Sequence, residues 1–183
     1  MIAATSMSEE ERIEKFRDLL KRMERALGEE NVVTLDTLND LGGVLYEIGE
    51  YEEAIKVNER CLAGELKVLG EDHRDVLMAL NNLGCAHKGL KNYEKALEYC
   101  ERALEGNEKM LGTTHPSTLN IVDSIWLFNA EMEDYKKAEE FYERALEGFE
   151  AQYGKDHRMT KMCSENFSIC LKKRGDRKES GWS

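Results

Sequence analysis

Apolar residues along the chain recur at helical spacing rather than in alternation. Leu35, Leu38, Leu41, Leu45 and Ile48 share one face of a helix, and Leu77, Leu80 and Leu83 repeat the pattern further on. Each run is followed by a short break, carrying Gly49 in the first case and Gly89 in the next. A second helix then opens at a tyrosine. In one of these the stripe is Tyr135, Ala138, Tyr142, Ala145, Leu146, Phe149 and Tyr153. About 18 residues at helical rise give a length of roughly 27 Å. The helix is expected to stop at the following glycine, a natural terminator. At the other end of the chain, Ser8-Glu9-Glu10-Glu11 has the form of a capping box, which satisfies amides that a helix start leaves orphaned.

These helices keep one register. Leu27-Gly28, Leu69-Gly70, Leu111-Gly112 and Tyr153-Gly154 are each 42 residues apart. His73, His115 and His157 follow the same step, as do Tyr51, Tyr93 and Tyr135, and Ala54, Ala96 and Ala138. A fixed period across so many residue types marks a repeat architecture. The expected fold is an all-α solenoid of about eight helices. A lone helix at 9–27 precedes helix pairs at about 30–69, 72–111 and 114–153, and a closing helix at 158–173 follows. Residues 1–8 are expected to be flexible and 174–183 disordered, with Trp182 exposed. Gly64, Gly106 and Gly148 fall inside helices, each at a cost of roughly 1 kcal/mol relative to alanine. Close packing against the next unit and plain helix weakness both account for them.

Composition narrows the function. A chain of 183 residues, 41% hydrophobic and 34% charged, can bury a sizeable core and solvate the outer faces of its helices. Pro116 is the single proline. The net charge of −11 argues against duplex nucleic acid as a partner. No run approaches the roughly 20 apolar residues that span a bilayer, and Met1–Met7 is too short for a secretory signal. The five cysteines include no C-x-x-C pair, and an odd count suits free thiols in a reducing, cytoplasmic setting.

The segments DLGGVLYEIGEYEEAIKVNERCL (40–62) and LNNLGCAHKGLKNYEKALEYCERAL (80–104) resemble tetratricopeptide (TPR) repeats. The 42-residue period and the LGEDH turn at 69–73 are similar to the kinesin-light-chain class. The resemblance covers about residues 9–173. It implies a right-handed superhelix of antiparallel helix pairs and a non-catalytic scaffold, without cofactor, holding a peptide or partner segment in a concave groove. It places Asp36, Asn39, Gly43 and Tyr46 on the groove wall in the first unit, and Met78, Asn81, Cys85 and Lys88 in the second. Asn120, Asp123, Leu127 and Ala130 follow, then Met162, Glu165, Ile169 and Lys172. Where helices of a pair cross, it sets Gly42 and Gly84 against Ala54 and Ala96. Trp126 stands in the third glycine slot, where it is expected to fill core and to make that pair splay or rotate.

Within such a groove Asn39 and Asn81 would offer donor and acceptor to an extended backbone. Met78, Cys85, Leu127 and Ile169 would form an adaptable apolar strip. Asp36, Asp123 and Glu165 would favour a basic or neutral apolar guest. The fifth and ninth repeat positions hold no cation, so no clamp for a chaperone C-terminal carboxylate is expected.

Candidates for chemistry are few. His73, His115 and His157 share a turn, which repeat architecture explains. His87 with Cys100 and Cys61 is a conceivable soft metal site, but a buried histidine with one hydrogen bond is the ordinary reading, and no metal is expected. Cys163 and Cys170 are two helical turns apart, ~10 Å, too far to bond within one helix. No phosphate loop, nucleophile elbow or HExxH is present, so no catalytic residues are assigned and no enzyme is expected. Glu9, Glu10 and Glu11 at one end and Lys172, Lys173, Arg174, Arg177 and Lys178 at the other match the helix dipole. They equally suit an alternative function, a structural module that self-assembles through its ends into an oligomer. Lys161, Ser164, Glu165, Asn166 and Ser168 give the closing helix the polarity of a solvated cap.

Overall fold

The computed structural model describes residues 8–179, with side chains through residue 172. Among the described residues every regular element is an α-helix. These are α1 (Glu9–Leu27), α2 (Val32–Glu47), α3 (Tyr51–Leu69), α4 (Arg74–Gly89), α5 (Tyr93–Leu111), α6 (Pro116–Glu131), α7 (Tyr135–Tyr153) and α8 (Arg158–Glu179). The last runs six residues past the expected end at 173, so residues 174–179, expected in a disordered tail, are helical. A single glycine, Gly175, costs only about 1 kcal/mol, and its neighbours are mostly good helix formers. The expected flexible start, apart from Ser8, and the last four positions with Trp182 lie outside the described residues.

The chain divides into two compact units, Met1–Tyr99 and Cys100–Ser183, the division falling within α5. In the first unit α2 packs on α1 and α3, and α3 packs on α4. Leu35, Leu38, Leu41 and Leu45 of α2 are all buried, with Ala54 and Cys61 of α3 and Ile13 and Leu20 of α1 in the same core. Each such leucine contributes about 1.5–3 kcal/mol when fully buried. The close crossing of α2 and α3 falls one turn beyond the expected Ala54. A Cβ added to Gly42 would collide with the amide of Asn58. Gly64 likewise holds the side chain of Leu35, so it packs on the first helix of its own pair rather than on the next unit.

In the second unit α7 packs on α6 and α8. Gly148 meets Leu119 as Gly64 meets Leu35. Trp126 is 1% exposed and fills core. Its ring lies edge-on to Tyr142 and Phe167, which stack on each other with centroids 3.6 Å apart. Tyr142 occupies the position that Asn58 holds two periods earlier. The Gly42–Asn58 contact is thus replaced by a Trp126–Tyr142 contact, with both partners large.

The turns explain the remaining repeats. Asn31, His73, His115 and His157 are N-caps: each accepts, through Oδ1 or Nδ1, the backbone N–H two residues on, at 3.0–3.3 Å. Ser8 and Glu11 form the expected capping box. Gly28, Gly70, Gly112 and Gly154 sit at φ 85–92°; for the three with ψ near 165° this is a region essentially reserved for glycine. The second break repeats too, though its sequence does not. Gly49, Lys91 and Glu133, one period apart, have φ of 86°, 58° and 66°. Gly89, expected to mark this break, instead ends α4 and lies against the ring of Tyr51.

One carboxyl is buried in the first unit. Glu65 is 1% exposed. Its Oε1 accepts from the thiol of Cys61 at 3.3 Å, the same thiol lying 3.3 Å from the Leu35 carbonyl, while Oε2 has no hydrogen-bond partner among the described residues. Burial pushes the Glu65 carboxyl up, and Asp75 and Asp36 add to this; the Cys61 hydrogen bond and His73 oppose it. Burial and Glu65 push the Cys61 thiol up in turn.

Two outcomes are expected. Lys91→Gly and Glu133→Gly should each stabilise the fold by about 1 kcal/mol, because a left-handed residue with a Cβ costs ~1–2 kcal/mol and glycine returns part of that as chain entropy; urea midpoints measure it. Glu65 has a folded pKa above its unfolded one, so its contribution is complete below the ordinary carboxylate range and is lost as pH rises through the raised folded value. Glu65→Gln should remove that decline, giving a variant that gains on wild type as pH rises in urea unfolding followed from acid to neutral pH.

Candidate protein-binding faces

The leucine stripe that α2 buries fixes what the same helix turns outward. Asp36 is exposed, and Asn39, Gly43 and Tyr46 are half-buried. On α4, Met78 and Lys88 are exposed, and Asn81 and Cys85 are half-buried. The two faces are tied side by side, because Asn82 Nδ2 donates to Asn39 Oδ1 at 2.8 Å. That bond uses the acceptor Asn39 was expected to offer a guest and leaves its NH2 group. Asn82, which makes this contact, was not among the expected groove residues; its neighbour Asn81 was.

The first unit's face is polarised. Near the helix starts, the Asp36 carboxyl is pushed up by burial and by its neighbours Asp75 and Asp40, so three carboxylates converge there. Toward the helix ends the lining is aromatic and thiol-bearing. Tyr46 lies 5.6 Å from Tyr51, ring to ring. Burial, then Cys85 and Tyr51, push its hydroxyl up. Burial raises the Cys85 thiol while Lys88 opposes. Between these ends Gly43 leaves a dip, with nothing within 4 Å of an added Cβ.

In the second unit Asn120 is exposed, Asp123 and Leu127 are half-buried, and Ala130 is buried. On α8, Met162, Glu165, Ile169 and Lys172 are exposed. Asp123 is occupied internally. It accepts the indole N–H of Trp126 at 2.8 Å, and it neighbours the buried Cys163, whose thiol burial and Asp123 together push up. Its carboxylate therefore anchors core residues. Leu127 and Ile169 come together across a cavity of about 250 Å³ that Ala130, Glu131, Tyr135, Asn166 and Cys170 complete. Glu131, Tyr135, Asn166 and Cys170 were not among the expected groove residues. The signal for Tyr135 was present, since the residue opening a second helix must lie beside the end of the first.

His87 is 4% exposed, and neither ring nitrogen has a hydrogen-bond partner among the described residues, against the one expected. Its ring stacks on Tyr99 at 5.5 Å instead. Burial and then Lys95 push the imidazole below its ordinary value, with Glu59 and Glu98 opposing, so a neutral ring in an aromatic stack replaces a hydrogen-bonded one. Among the described residues no three metal-ligating side chains gather and no disulfide links two cysteines. No helix there is long and apolar enough to cross a membrane.

The comparisons agree with this architecture. A tetratricopeptide repeat profile matches residues 34–75 and 76–117, and a second of the same description matches 127–180. No curated protein matches the chain. Among solved structures, the chain is similar to the nearly identical TPR-like repeats of a Podosopora anserina protein assigned as a kinesin light chain. The TM-score is 0.80 at 20% identity, covering 93% of this chain and 81% of that one. A variant of those repeats gives 0.82 at 19% identity with the same coverage. BtubC (BKLC) from P. vanneervenii is similar at a TM-score of 0.74 and 15% identity, covering 91% of this chain and 67% of that one. At such identities the likeness is one of fold, an all-α solenoid. With repeat profiles matching well over half of its length, the chain belongs to the tetratricopeptide repeat family.

Proposed function

We propose that this protein is a non-catalytic scaffold that holds a peptide or partner segment against the outward faces of its first-type helices, α2 and α4 in one unit and α6 and α8 in the other. The observation that supports this best is the open face of α2 and α4, where Asn39, Gly43, Tyr46, Asn81 and Cys85 are all accessible beside a fully buried leucine stripe. Side-chain amides, a dip at Gly43 and a half-buried tyrosine suit an extended backbone with a small or apolar side chain at its centre. The convergent carboxylates of Asp36, Asp40 and Asp75 select a basic residue at one end. With no cation at Asn39, Gly43, Asn81 or Cys85, a carboxylate-terminated chaperone tail lacks the clamp that would hold its end.

Selection from a randomised peptide display library tests this reading. Enriched sequences should be basic or neutral and apolar, and their affinity should fall about tenfold or more in the double variant Asn81→Ala/Leu127→Glu, which removes an amide and places a charge on an apolar wall. An empty selection, or binders indifferent to that variant, sinks the assignment to these faces. Light scattering at low and high salt separates the other function: the scaffold is expected as a salt-insensitive monomer, whereas salt-sensitive oligomers would favour contacts through the ends.

A further inference from the structure

The cavity of the second unit has a shape and chemistry of its own. Its volume of about 250 Å³ lies below the roughly 300–1,000 Å³ of pockets that take whole cofactors or drug-sized ligands, so it suits a single long side chain. Leu127, Ala130 and Ile169 give it apolar walls, which match a methylene stem. Its polar lining includes one acid, Glu131, exposed at the last position of α6, and the Asn166 amide. Among the described residues Glu131 forms no ion pair, and Lys172, one turn beyond Ile169, does not reach it. A lining that joins apolar walls to a carboxylate and an amide is complementary to a side chain that is aliphatic for most of its length and cationic at its tip.

Resting on the scaffold reading above, we infer that this cavity is the anchoring subsite for an arginine of the bound partner, its stem against Leu127 and Ile169 and its guanidinium on Glu131 and Asn166. Arginine fits before lysine, because a planar fork can bond a carboxylate with two N–H groups and an amide oxygen with a third, and it sheds hydration more readily than an ammonium.

The test uses the full chain with labelled methyl groups and four short capped peptides that differ only at the central residue: arginine, lysine, norleucine or glutamate. The arginine peptide should shift the Leu127 and Ile169 methyl signals saturably and weaken with added salt. Norleucine, which keeps the stem and loses the charge, should bind at least about fivefold more weakly, and glutamate not at all. Glu131→Gln should reduce arginine affinity about fivefold without changing norleucine, and Ile169→Asp should abolish the norleucine response. Equal affinity for arginine and norleucine, or an arginine affinity untouched by Glu131→Gln, overturns the subsite. So does a cavity silent to all four peptides. If the cavity stays silent while display-selected peptides shift Met78, the scaffold reading stands and this inference alone fails; silence at both places ends both.

Discussion

Leucine side chains of one helix sinking into glycine notches on its partner are the contact on which the rest of this molecule depends. Leu35 enters at Gly64 and Leu119 at Gly148, while Gly42 admits the Asn58 amide from the other side. The two backbones are thereby held close and in a fixed rotation. Rotation is what matters for function. Once Leu35, Leu38, Leu41 and Leu45 point inward, helical geometry leaves Asp36, Asn39, Gly43 and Tyr46 outward, with no further choice to make. The helix-interior glycines, which look like a weakness when α3 and α7 are considered alone, are the condition for the outward face.

This dependence also explains what could be seen in the sequence. A notch and its knob must recur together, so the 42-residue stride of Gly64, Gly106 and Gly148 was visible at once, with the capping histidines and terminal glycines. Features set by backbone conformation alone left no trace. Gly49, Lys91 and Glu133 share a left-handed conformation while sharing no side-chain property, because the turn is imposed by the helices it joins and lysine or glutamate tolerates it at a cost. Side-chain pairing across helices was equally hidden. Asp123 appeared as a groove acid because spacing fixes its side of the helix, but spacing cannot show that Trp126 and Cys163 engage it first.

Within one period the repeats differ most in the seam between paired helices. In α3 the inward positions hold Asn58, Cys61 and Glu65, with unpartnered polar atoms on Asn58 and Glu65. The corresponding positions of α7 are Tyr142, Ala145 and Phe149, which pack as aromatic and small apolar groups. Burying a polar atom without a partner costs about 1–3 kcal/mol, whereas buried aromatic area is favourable. The two seams therefore differ in cost despite a common fold, and the costlier one belongs to the helix pair that carries the polarised face.

The same comparison picks out the cavity. On α8, Lys161, Ser164 and Ser168 stand where α2 has Leu35, Leu38 and Gly42, so the edge that α2 buries is polar here. A helix that has given up apolar side chains along one edge has no solubility reason to keep a β-branched aliphatic in water on another. Yet Ile169 is 53% exposed. Met162 and Leu171 are exposed too, but Ile169 is the one of the three that lines the cavity, facing Leu127 across it. A lone exposed isoleucine is ordinary on a protein surface, but this one is set over a hollow whose lining also holds Leu127, Ala130 and the Glu131 carboxyl, which forms no ion pair among the described residues.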